Sequence, residues 1–162
     1  MPSRTILKDR DVKPLVELLK KLGGQDSLSH KSRVEVEEVK GGEIVFADGE
    51  AIAIRKDGDI VPVLVNSRSV DLLPTVVVDM GAVPHVVGGA DIMAPGIRRV
   101  TGDFKQGEFL VVVDEKYGKK LAVGKALLDS EGMRGTKKGK VVKNIHWVGD
   151  PVWEAVRQPT QG

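Results

Sequence analysis

Gly88-Gly89-Ala90-Asp91 is the step in this chain whose residue types could do chemistry. Two glycines and an alanine leave the main chain bare, so backbone N–H groups can approach a ribose or a phosphate closely. Asp91 can accept a hydrogen bond from a 2′-hydroxyl or a base donor. Beyond the Pro95-Gly96 turn, Arg98 and Arg99 are in place to reach phosphates. Further on, RGTKKGKVVK supplies Arg134, Lys137, Lys138, Lys140 and Lys143 without one acid. Basic runs of this kind are either the electrostatic footprint of phosphate binding or a solvated surface loop. The glycines likewise have two readings, bare backbone for RNA or simply a tight corner between two elements.

Other chemistries find little footing. With no cysteine, disulfides, thiolate metal sites and thiol nucleophiles are excluded. Phosphate-loop spacing fails at Gly118–Lys125, GKKLAVGK, which is one residue too long and has Ala126 where Ser or Thr must hold a metal. His30, His85 and His146 share no metal-ligand spacing. Asp79 and Asp91 suit capping and turn roles better than acid–base catalysis. No enzyme activity, metal or cofactor is expected. Six aromatic residues are too few to furnish a sheet on which single-stranded bases stack, which favours recognition of helical RNA or a terminus by shape and backbone.

The elements that must position these residues change character near Pro74. Residues 1–74 carry 12 Lys/Arg against 13 Asp/Glu, whereas residues 75–162 carry 13 against 10. In the first part, Val12, Leu15, Val16, Leu19 and Leu22 fall at helical spacing over 11–22, with Asp11 as N-cap and Gly23-Gly24 as terminator. Strands are expected at 33–39, 43–47, 51–55 and 60–65. Asp48-Gly49 and Asp57-Gly58 between them predict type I′ hairpin turns.

The second part predicts a strand at 75–79 and a short helix near 81–87. Strands are then expected around 91–94, 107–114, 120–127, 140–148 and 151–156, with Tyr117-Gly118 in a hairpin turn. This is an α+β chain, mostly β, with a small helix-plus-antiparallel-sheet domain followed by a small barrel or sandwich. The first 22 residues mix Arg4, Lys8, Asp9, Arg10 and Asp11 with apolar positions, unlike a signal peptide, and no apolar run is long enough to span a membrane. A soluble, cytoplasmic protein is the expectation.

Residues 75–157 resemble a PUA domain, an RNA-binding module. The resemblance rests on Val78, Asp79, Gly81, Ala82, then Gly89-Ala90-Asp91-Ile92-Met93, Pro95-Gly96, Val123-Gly124, Asn144-Ile145-His146-Trp147 and Trp153. Asn-Ile-His followed by an aromatic, then Asp150 and Trp153, is similar to the subfamily of the malignant T-cell-amplified protein and ligatin. Arg55, Pro62, Leu64 and Leu73-Pro74 resemble the end of that subfamily's pre-PUA domain. The resemblance implies a pre-PUA domain over 1–74 and a PUA β pseudobarrel over 75–162.

It also implies a groove formed by Gly88, Gly89, Ala90, Asp91 and Met93, with a rim of nearby Arg and Lys. In related proteins such a groove receives a tRNA acceptor stem and its 3′ CCA end. The subfamily acts on the small ribosomal subunit beside an initiation-factor-like partner, here to be supplied in trans. The function expected is therefore non-catalytic RNA binding, of a tRNA acceptor end or ribosomal RNA, in translation. The alternative is a subunit that presents RNA to a separate modification enzyme.

Overall fold

Asp48 and Gly49 have φ of 49° and 87°, and Asp57 and Gly58 have φ of 51° and 83°. Both central residues of each two-residue turn are left-handed, the type I′ geometry whose twist matches that of the strands it joins. This is seen in a computed structural model of the chain, which describes residues 4–7, 13, 17, 33–66 and 70–157.

The two turns close a five-stranded antiparallel sheet ordered as in the sequence. Its strands are β1 (Arg4–Ile6), β2 (Val34–Val39), β3 (Gly42–Ala47), β4 (Glu50–Lys56) and β5 (Asp59–Pro62). β2 alternates, with Val34 and Val36 buried on one face and Glu35 and Glu37 on the other, partly covered and paired with Arg33 and Arg4. Ile44, Val45, Ile52, Ala53 and Ile54 are buried in succession, so β3 and β4 form the centre. Across them Arg55 faces Glu43 in register and donates to both of its carboxylate oxygens, at 3.1 and 3.3 Å. The sequence patterns anticipate β2 to β5 but not β1, which is too short to show a period. The expected helix over 11–22 lies outside the described residues except Lys13 and Glu17, which are helical and exposed.

The chain separates into two compact units, Met1–Leu72 with Pro151–Gly162, and Leu73–Asp150. Residues 151–156, expected as a strand, are instead the helix Pro151–Arg157, which packs on β2 of the first unit. Proline suits the first turn of a helix, where its missing N–H costs nothing. Val152, Ala155 and Val156 then fall at i, i+3 and i+4, a helical stripe too short for periodicity to tell from a strand.

The second unit is a six-stranded curled, half-barrel sheet. In chain order its strands are β6 (Thr75–Val78), β7 (Ile92–Met93), β8 (Ile97–Thr101), β9 (Phe109–Asp114), β10 (Lys120–Ala126) and β11 (Lys140–Trp147). Their spatial order is β7-β11-β10-β9-β6-β8, with β6 parallel to β9 and every other pair antiparallel. Helix α1 (Val83–Val86) follows β6, a 3₁₀ turn (Ala94–Gly96) joins β7 to β8, and α2 (Ser130–Gly135) precedes β11. The helix at 151–157 is α3.

Two of these elements are absent from the sequence expectation. The sequence assigned no element to Arg98-Arg99, which lie in strand β8 at the sheet edge, where charged side chains are tolerated. α2 contains Gly132 and Gly135 and owes its start to Asp129, whose carboxylate accepts the Gly132 N–H at 2.7 Å. The core gathers Val76, Val78, Val86, Ile92, Leu110, Val112, Leu121, Met133 and Val142. GKKLAVGK is not a loop, since most of it is β10, paired on both sides.

Candidate nucleic-acid interface

β6 gives way to Asp79, whose carboxylate accepts the Ala82 N–H at 2.8 Å and so turns the chain into α1. Pro84 sits in the first turn of that single-turn helix, which ends where Gly88 and Gly89 donate to the carbonyls of His85 and Val86. Gly89 has φ 92°, and a Cβ there would lie 2.8 Å from the Trp147 ring. Its glycine character is thus required by backbone conformation and by packing against β11. Gly88 and Ala90 are exposed.

The loop is tied down from β11. Asn144, 7% exposed, donates from Nδ2 to the carbonyls of Val86 and Ala90, both at 3.0 Å. Its own N–H donates to Asp91 Oδ1 at 2.8 Å, and Lys140 Nζ lies 2.9 Å from Asp91 Oδ2. Burial pushes the Asp91 carboxyl up. The Asn144 N–H, the Lys140 ammonium and the charge of Lys143 more than reverse this, so it titrates below its ordinary value. Asp91 therefore carries a structural load, and both of its oxygens are engaged within the protein.

Beside the loop, β7 runs along β11 with Met93 opposite Lys140, and the Ala94 N–H donates to the Gly139 carbonyl at 2.8 Å. Met93 is 48% exposed. Lys137, Lys138 and Lys143 project from this stretch, exposed and without a side-chain ion pair among the described residues. Lys143, which closes the basic run, stands with them.

The arginines divide. Arg134 is an anchor: its guanidinium donates to the carbonyls of Val100, at 3.3 Å, and Gly102, at 2.6 Å. It thereby holds α2 to the end of β8. Arg98 is shared between Glu115, at 3.1 Å, and Asp79, at 3.7 Å. Arg99 is exposed and has no ion-pair partner among the described residues. The sequence reading gave no mechanical role to Asn144. Its signal was the Asn-Ile-His-Trp run itself, whose His146 is fully buried and hydrogen-bonded through Nδ1 to Asp150 at 2.7 Å.

The arrangement is a tied-down loop bordered by Arg99, Lys137, Lys138 and Lys143, which have no ion-pair partner among the described residues, and this suits a polyanion. Comparison with known proteins agrees. Residues 74–148 match the PUA domain family. Translation machinery-associated protein 20 of Saccharomyces cerevisiae is 30% identical over 76% of this chain and 72% of its own length. A hypothetical protein of Pyrococcus horikoshii superposes with a TM-score of 0.80 at 36% identity, covering 95% of this chain and 99% of that one. A PUA-domain structure from Aeropyrum pernix gives 0.81 at 27% identity, covering 98% and 92%. The chain belongs to the family of PUA-domain RNA-binding proteins that includes translation machinery-associated protein 20 and malignant T-cell-amplified sequence 1.

Proposed function

We propose that the α1–β7 loop and the cations beside it bind the end of a helical RNA in translation, a tRNA acceptor end in the first instance. Gly88, Gly89 and Ala90 leave the main chain open to close approach, although their N–H groups already donate to the carbonyls of His85 and Val86 and are not spare donors as the sequence suggested. Met93 offers an apolar contact, and Arg99, Lys137, Lys138, Lys140 and Lys143 the phosphate-facing charge. Arg98 contributes through its position between Asp79 and Glu115, and Arg134 by fixing the edge of β8. The observation that carries the reading is the Asn144 clamp, which spends a buried side chain on holding an exposed loop in one shape. A preformed loop loses little entropy on binding, and shape recognition needs that. Relatives named for the translation machinery supply the setting. The small ribosomal subunit and an initiation-factor-like protein are the partners that setting suggests, in the cytoplasm.

The test is binding of the purified protein to intact tRNA and to tRNA lacking its 3′ CCA, across a salt series. A marked loss without CCA is expected. Equal, steeply salt-dependent binding would move the target to ribosomal RNA, since phosphate contact alone would remain. Absence of binding to either would overturn the reading.

A further inference from the structure

β6 and β9 are parallel neighbours, with Val78 opposite Asp114, so the chain leaves both strands at the same end of the sheet. One exit leads into α1 and the Gly88–Asp91 loop. The other is the tip of the β9–β10 hairpin, Glu115-Lys116-Tyr117-Gly118-Lys119, which the function proposed above does not use. The Glu115 N–H donates to the Val78 carbonyl at 3.0 Å, and Arg98 links Asp79 at one exit to Glu115 at the other. The two loops are joined at their bases.

The tip is ordered from inside. Asp114 is 3% exposed, and its carboxylate accepts the backbone N–H groups of Lys116, at 2.9 Å, Tyr117 and Lys119, at 3.0 Å. The Tyr117 N–H, against the opposing effect of burial, and then the Lys119 and Lys116 N–H groups hold that carboxyl below its ordinary value. With the backbone satisfied inward, the side chains of residues 115–120 all face solvent.

What they present is specific. Of the six aromatic side chains in the sequence, Phe46 and Phe104 are buried, Phe109, Trp147 and Trp153 are half-buried, and only Tyr117 is exposed, at 66%. Lys116 Nζ lies over its ring, 5.2 Å from the centroid, and Lys119 and Lys120 follow. The one acid of the tip, Glu115, is already paired with Arg98. An open ring flanked by ammonium groups on a fixed turn combines the two contacts that single-stranded nucleic acid uses, stacking of a base and pairing of its phosphates.

We infer that the β9–β10 tip is a second RNA contact, in which Tyr117 stacks on an unpaired base while Lys116 and Lys119 meet the adjoining phosphates. It extends the RNA-binding reading of the α1–β7 loop and rests on it. Stacking here needs no aromatic sheet, only one ring held where a strand leaves the neighbouring loop.

The test uses a short RNA hairpin, blunt or with a single-stranded 3′ extension of about four nucleotides, a length suited to one or two stacked bases. The unsubstituted protein should bind the extended RNA more tightly. Tyr117→Ala should weaken that binding about 5- to 150-fold, the range of one base–aromatic stack, and leave the blunt hairpin unaffected. Tyr117→Phe should retain the preference, which separates stacking from the loss of a hydroxyl. Lys116→Ala with Lys119→Ala should reduce the salt slope on the extended RNA by about one to two.

Equal binding of the extended RNA by the unsubstituted protein and Tyr117→Ala would overturn the tip while leaving the loop in place. If the unsubstituted protein bound neither RNA, the RNA reading of the loop would fail, and the tip with it.

Discussion

The Asp48-Gly49 turn of the N-terminal sheet and the Gly88–Asp91 loop of the curled sheet both depend on a left-handed glycine, and they are held in opposite ways. Gly49 has φ 87° and Gly89 has φ 92°. Around Gly49 an added Cβ would meet nothing within 4 Å, so the turn is the work of two residues and the strands they join. Around Gly89 the same atom would strike the Trp147 ring, and the loop's polar groups are satisfied by Asn144, more than fifty residues further along the chain. One bend is local chemistry. The other is a tertiary property, so changes to it should spread into the sheet.

The largest effect should come from Gly89→Val. A left-handed backbone costs a branched residue about 1–3 kcal/mol, and forcing its side chain against Trp147 adds about 1–3 kcal/mol. Gly49→Ala should lose only about 1 kcal/mol, the conformational penalty alone. Urea unfolding of the two variants checks this, and equal losses would erase the distinction between the bends.

The same distinction explains what the sequence shows of the fold and the site. Asp-Gly between apolar runs is a complete local instruction, and β2 to β5 stand where it and the alternation Val34-Glu35-Val36 put them. Strand β8 was missed because Arg98-Arg99 has no apolar period, and only pairing with β6 makes it a strand. The 151–156 segment was misread because six residues of mixed apolar pattern fit either period.

At the site, the type of each residue was legible but its employment was not. Arg134 looks like a free charge in one dimension, and it is engaged by backbone carbonyls distant in sequence. The Asn-Ile-His-Trp run marks Asn144 as a residue of the module, but only the fold shows that it shapes the loop.

Asn144→Ala should give the next effect. It removes the donor to two carbonyls, those of Val86 and Ala90, at about 1–3 kcal/mol for a buried group left unsatisfied. Amide hydrogen exchange should accelerate at residues 87–90 and stay unchanged around Asp48-Gly49. Exchange that rose equally in both places would mean a global loss of stability and would deny Asn144 its specific hold on the loop.

Asp91 should give the smallest effect and the sharpest one. Its carboxyl titrates below the ordinary 3.8, because the Asn144 N–H and Lys140 outweigh the cost of its burial. A carboxyl depressed in the folded state stabilises fully above its unfolded value, and that contribution is lost as pH falls through the lower folded value. Lys140 is half exposed and screened, so the charge contributes at most about 1 kcal/mol. Asp91→Asn keeps an oxygen for the Asn144 N–H but loses the charge. The stability difference between the two proteins should therefore be constant at neutral pH and shrink as the solution is acidified below the ordinary carboxylate range. A difference that persisted unchanged in acid would mean that the hydrogen bond alone, and not the Lys140 pairing, fixes this end of the loop.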